Sequence, residues 1–353
     1  MTYLAGKIVL TVEAGAPNNG RGDGNTTRVK TAVIRRKTYP YISAQAFRRW
    51  TRDTMTALGA IPSPTERVGS AQGKAQKVNT AADPIQYIDD DLFGYMKAGA
   101  KTEGADTTLR DSPYMMGTLL AVEPARPTED FGVMARDITE PVLHGHEFYT
   151  ADLAAPFLLD IPRVGTFTLP DNRGVGRPNY LSEKAALTMA EALQAGATPV
   201  TFRSQPAVRL PLQARRERVA VLLDALAELA GGAKKALHYG DRAPALLMLL
   251  PMAGGVNPLG FVVNGAEDGS GLRVRADVLE QELAVWTDEW EAPVRVGWQP
   301  GFRDGLRTEF EAALTNRIAA GEVVIDHPRA ILTTLATEIR GGRHDAWFDD
   351  LQR

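Results

Sequence analysis

The stretch TTRVKTAVIRRKTYPYISAQAFRRWTRDTMTAL, Thr26 to Leu58, carries the two patterns from which the rest of the chain can be read. Between Gly24 and Arg52 lie eight basic residues, Arg28, Lys30, Arg35, Arg36, Lys37, Arg48, Arg49 and Arg52, and no acidic one. The whole chain has a formal net charge of -3, so everything outside this window sums to -11. Positive charge concentrated on an otherwise acidic protein suggests a polyanion held at one surface.

The second half of the stretch reads as a helix over 43–58. Ser43 is a suitable N-cap, Gly59 a suitable stop, and Pro62 prevents continuation. Phe47, Trp50, Met55 and Leu58, with Thr51 and Thr54 between them, fall on the spacing of a buried stripe. Beside that stripe Gln45, Arg48, Arg49 and Arg52 make a second ladder. Arginine forks match phosphate oxygens, and exposed amides at a helix start attract anions. The plain alternative is a solvated helix face. Arg28, Lys30 and Arg35 on the preceding strand-like segment, 28–36, weigh against it.

Composition narrows the class. The chain has 353 residues, 44% hydrophobic and 24% charged, enough for a large core in one elaborated domain or two. It has no cysteine, which excludes disulfides, thiol nucleophiles and cysteine-held zinc or iron–sulfur centres. No apolar run approaches the roughly 20 residues of a membrane helix. MTYLAGKIVLTVEAG alternates like a strand and lacks a signal-peptide pattern, so a cytoplasmic protein with no membrane partner is expected.

Outward from the opening stretch, Tyr3 to Glu13 reads as a first strand, with Ile8, Leu10 and Val12 on one face. AGAPNNGRGDGN is a flexible loop, not a phosphate loop, since no G-K-[ST] and no helix follows it. From Ile61 to about Arg110 the pattern dissolves into small and polar residues around the island IQYIDDDLFGYM, as in a functional insertion. Its Asp89, Asp90 and Asp91 read as a surface turn or an acidic first helical turn, because three consecutive carboxylates diverge too much to share a metal. Strands are expected at 114–122 and 157–169, and a basic projection carries Arg163, Arg173 and Arg177. Helices are expected at 182–195 and 213–230, the second buried through Val219, Leu222, Leu223, Leu226 and Leu229. PALLMLLP, 244–251, suits a central strand. Beyond it 260–263 is strand-like, and helical patterns follow at 276–290, 303–320 and 328–339. Trp286, Trp290 and Phe310 read as packing residues.

Catalytic motifs are missing: there is no nucleophile elbow, Walker loop, HExxH or zinc quartet, and VGSAQGKAQ fails the Walker spacing. His144 and His146, with Glu147, put two imidazoles on one side of a strand without a third ligand, which reads as polar surface. The remaining expectation is a binding protein.

GDGNTTRVKTAVI, KTYPYISAQAFRRW, DDDLFGYM, LLDIPRVGTF and GGAKKALHYGDRAPALL, in this order over residues 4–251, resemble the CRISPR Cascade backbone subunit, Cas family seven, in its DevR-like branch (type I-B-like). KTYPYISAQAFRRW and DDDLFGYM are the most specific pieces, and Pro162 departs from the branch, where a second Asp is usual. The resemblance implies an α+β, hand-shaped fold: an RRM-like (ferredoxin-like) β-α-β-β-α-β palm with inserted fingers and a thumb hairpin. Residues 1–60 would begin the palm, 61–113 form the fingers, 114–251 complete the palm with a thumb near 160–181, and 252–353 form a helical extension packed on it.

It also implies a non-catalytic subunit that polymerises head to tail along a CRISPR RNA and presents its bases for pairing with target DNA. The other partners would be Cascade subunits of families five, six and eight and the small subunit; no cofactor is implied. A guide must be held by its backbone, since phosphate contacts position without specifying and pairing reads the sequence. The expected RNA contacts are Arg28, Lys30, Ser43, Gln45, Arg48, Arg49, Arg52 and Arg163, with Lys74 and Lys77 in the fingers and Arg173 and Arg177 near the thumb. Backbone subunits of type III systems cut target RNA with a loop aspartate; that alternative would use Asp23 and a metal. A transcriptional regulator is a third reading, opposed by the lack of a helix-turn-helix pattern.

Overall fold

Strand β1 (Tyr3–Gly15) is covered on both faces, Leu4, Ile8, Leu10 and Val12 by one cluster and Ala5 and Val9 by another, with buried Lys7 between the last two donating to the Gly260 carbonyl. The computed structural model describes residues 1–68, 77–97, 108–134, 140, 142–168, 185–266, 268–269 and 271–350. After β1 come β2 (Thr26–Thr27), the hairpin β3 (Thr31–Ile34) and β4 (Lys37–Ile42), and helix α1 (Ala44–Ala57). Next is a pair of two-stranded ribbons, β5 (Thr65–Val68) with β6 (Lys77–Thr80) and, after α2 (Ile88–Phe93), β7 (Tyr95–Lys97) with β8 (Thr108–Arg110). Strands β9 (Tyr114–Met116) and β10 (Leu119–Ala121) precede the hairpin of β11 (Thr128–Met134) and the 19-residue β12 (Val142–Asp160).

A three-stranded sheet of β13 (Thr166–Thr168), β14 (Thr198–Phe202) and β15 (Gln205–Arg209) follows, with α3 (Ala185–Gln194) between its first two strands. Then come α4 (Leu212–Ala227), β16 (Leu246–Met252), the ribbon β17 (Val263–Gly265) and β18 (Leu272–Val274), and α5 (Ala276–Val285). Last are β19 (Val294–Trp298), α6 (Asp304–Ala313), α7 (Thr315–Ala319), β20 (Val323–Asp326) and α8 (Pro328–Arg340).

The fold is α+β, built on a large mixed sheet of eleven strands among the described residues, with the main order β20-β19-β16-β1-β12-β10-β4-β3. β1 pairs antiparallel with β12 on one side and β16 on the other. β9 and β10 both lie against β12, while β19 and β20 pair in parallel. β16 is buried at every position: Leu247 and Leu249 join the cluster of α1, α4 and α8, and Leu246, Met248 and Leu250 join that of α5 and α6. Successive residues of a strand face opposite ways, so an unbroken apolar run is what a strand covered on both sides requires. Gly6 is fixed by packing, since a Cβ there would lie 2.1 Å from the Phe157 ring across the sheet.

Several expectations shift. The strand placed at 157–169 is the end of β12, which begins at Val142; a 3-10 turn at Ile161–Arg163 and Gly165, at φ +64°, break the run before β13. The segment 28–36 is not one strand, because the chain reverses at Arg35 and Arg36 and Lys37–Ile42 forms the return. The strand-like 260–263 is mainly a 3-10 turn, Pro258–Phe261. The last hundred residues also extend beyond helices: β19 and β20 continue the main sheet from β16. Phe310 is buried there, and Trp286 and Trp290 pack against the same cluster, as expected of packing residues.

Candidate nucleic-acid interface

Helix α1 begins where its sequence dictates. The Ser43 side chain accepts from the Ala46 amide at 3.3 Å, and Gly59, at φ +102°, follows its last turn. Phe47, Trp50, Thr51, Thr54 and Met55 are buried, whereas Leu58, beyond the last helical residue, is 45% exposed. The polar ladder divides in two. Gln45 and Arg49 face solvent, with Arg49 bonded to Asp53 at 2.7 Å one turn on. Arg48 donates to the Phe93 carbonyl and lies 5.5 Å from that ring, and burial lowers its pKa with Arg52 adding to the effect. Arg52 donates to Asp89 at 3.1 Å and lies 4.7 Å from the Phe93 ring. Half of the expected row therefore docks α2 against α1.

The acidic triplet is no surface turn. It is the first turn of α2, as the capping alternative expected, but Asp89, Asp90 and Asp91 are all at most 3% exposed. Each carboxylate has its own partners. Asp89 accepts from the Ser63 amide at 3.0 Å as well as from Arg52. Asp90 accepts from the Ser63 hydroxyl at 2.8 Å and the Asp83 amide at 3.0 Å, and burial raises its pKa against those bonds. Asp91 accepts from Arg110, Arg218 and the Gly165 amide. Arg110 also donates to the carbonyls of Asp91, Arg163 and Thr166, and Arg218 to those of Pro84 and Ile85. One buried knot thus ties α2, β8, the base of β13 and α4.

On the basic segment before α1, Arg28 bonds Glu147 at 3.0 Å and lies 3.7 Å from Asp23. Glu147 also accepts from the Val29 amide at 2.9 Å, so it serves this segment. Lys30 is half-buried. Arg163, in the turn after β12, pairs with Asp160 at 2.9 Å, and the same carboxylate takes a two-pronged contact from Arg203 at 2.8 Å. Lys77 opens β6. Lys74, Arg173 and Arg177 lie outside the described residues.

His144 and His146 do share a side of β12, with ring centres 6.4 Å apart, but His146 is 5% exposed and not surface. His238, isolated in sequence, comes within 4.9 Å of it. Burial lowers the His146 pKa, with His238 and Lys234 adding to the effect. Among the described residues no three acidic or imidazole side chains are grouped to hold a metal ion. Among the described residues no helix is long and apolar enough to cross a membrane.

No family model matches the chain, and no curated protein does. Solved structures do. A chain of a "CRISPR RNA-guided surveillance complex, pre-nicking" matches with a TM-score of 0.55 and 13% identity, covering 96% of this chain and 100% of that one. A chain of a second "CRISPR RNA-guided surveillance complex" matches with a TM-score of 0.52 and 15% identity, covering 95% and 98%. At such low identity the shared property is the fold, and it is shared over nearly the full length of all three chains.

Proposed function

We propose that this chain is a non-catalytic subunit of a type I-B-like CRISPR surveillance complex, and that it holds the guide RNA by its backbone. The observation that carries the reading is the near-complete, two-way coverage between this fold and surveillance-complex chains. The strand order supports an RRM-like palm: β1, α1, β9 and β10, β12, α4 and β16 follow one another in sequence, with β16-β1-β12-β10 side by side. In this reading the segment around α2 is the fingers and the thumb leaves after β12. Gln45 and Arg49 remain the outward groups of α1, with half-buried Ser43 at its cap and Arg28 and Lys30 on the segment before it, while Arg48 and Arg52 shape the surface from within.

Backbone clamping suits a guide, because its bases must stay free to pair with target DNA. Copies joined head to tail present unlike patches to each other, which is the heterologous contact that gives open helical arrays. The remaining Cascade subunits would cap such an array. Co-expression with a CRISPR array and the partner subunits tests the reading. RNA should co-purify in stoichiometric amount, in RNA-dependent oligomers, with little preference among spacers. Protein recovered free of nucleic acid, or strongly selective for one spacer, would count against it.

A further inference from the structure

We infer that the tip of the β3–β4 hairpin, together with Arg126, is a phosphodiester-binding surface separate from helix α1. The tip reads Arg35-Arg36-Lys37, and all three side chains are exposed. Arg126, also exposed, is brought alongside by the bond from the Ala125 amide to the Thr38 carbonyl at 3.0 Å. None of these four cations has a hydrogen-bonding or ionic side-chain partner among the described residues. Their neighbours in the basic window are different: Arg28 is matched by Glu147, Arg49 by Asp53 and Arg52 by Asp89. Among the exposed cations of the basic window, those without a carboxylate partner among the described residues are therefore at the hairpin.

The backbone at the tip adds a second observation. Arg35 and Arg36 both have left-handed φ, +50° and +66°. A two-residue hairpin turn of this kind is built most cheaply from Asn-Gly, and a side chain without a local hydrogen bond is strained there by about 1 kcal/mol or more. Two arginines in such a turn cost stability and return none through side-chain bonds among the described residues. The flanking Val33 and Ile34 are 74% and 41% exposed, so the hairpin end is largely open to solvent among the described residues. Six residues of extended strand, Lys37 to Ile42, separate the tip from the start of α1, about 20 Å at the usual rise per residue. A strand held at both places would run along the hairpin for several nucleotides. Guanidinium and ammonium groups without base-shaped pockets grip phosphates and tolerate any sequence.

This inference rests on the nucleic-acid reading above, and one experiment separates the two. Binding of single-stranded RNA and of single-stranded DNA of equal length is measured against salt for the full chain and for the variant Arg35→Ser, Arg36→Ser, Lys37→Ser, Arg126→Ser. Each phosphate contact contributes about 0.7 to the slope of log K against log salt for single strands, so the variant should lose about two to three from the slope. Loss with RNA alone, with DNA alone or with both supports the surface and identifies the strand it holds. An unchanged slope beside normal binding by the unaltered chain overturns this inference and leaves the guide-binding function standing. No binding of either strand by the unaltered chain overturns both.

A second variant, Arg35→Asn with Arg36→Gly, keeps the turn and removes its strain. It should melt at a higher temperature and bind more weakly; a higher melting temperature with unchanged binding overturns the assignment. Self-association lost by either variant, with binding per subunit intact, would make the tip a protein contact and also overturn it.

Discussion

Asp91 is fully buried and accepts from two guanidinium groups and a backbone amide. A carboxylate there is tolerable only because Arg110 and Arg218 neutralise it, and Arg110, itself 3% exposed, depends on Asp91 in the same way. Removing one charge of such a group strands the others, so Asp91→Asn should cost about 3–5 kcal/mol, read as a lower midpoint in urea unfolding. A loss below about 1 kcal/mol would mean that water reaches the knot. The sequence shows DDD as a local cluster, and a local cluster invites a local explanation. The partners of Asp91 lie at 110 and 218, on a β-ribbon and on a helix whose apolar stripe gives no hint that arginines are buried beside it. Long-range charge pairing has no periodicity, and for that reason this part of the site was illegible.

Helix α1 shows the opposite case. Its cap, its end and its buried stripe all follow from spacing, and five of the six stripe positions are buried. The exception, Leu58, is the C-cap residue, where the helical angle no longer carries the ladder onward. Ser43→Ala should lower stability by about 1 kcal/mol, seen in thermal melting, and Ser43→Asp should restore it. No change in either would place the cap's contribution elsewhere in the loop. The outer ladder was legible as a row, yet its exposure was not, because what covers Arg48 and Arg52 is α2, supplied from forty residues away. β12 was mostly missed for a related reason. Its first half pairs with β11, whose residues are almost all exposed, so no apolar alternation marks it.

The whole molecule depends on its C-terminal third more than a palm with an appended helical extension would. β16 is sealed by β19, and Ala5 and Val9 of β1 share a core with Leu279, Leu283, Phe310 and Leu314. A chain ended after Gly255 would bare one face of β1 and β16, an apolar patch of the kind that drives aggregation. Such a truncation should fail to give soluble, protease-resistant protein; a folded, soluble product would make the last hundred residues a separable module.

β1 also sets a timetable. Its neighbours are β12, complete at Asp160, and β16, complete at Met252. At about 5–20 residues per second of synthesis, β1 waits roughly 10 to 50 s after leaving the ribosome before its second edge is closed. Throughout that interval a largely apolar strand with at least one free backbone edge stands ready to join a wrong partner. Yield of this protein should therefore respond to the speed of translation and to chaperone supply as strongly as to the stability of the finished fold.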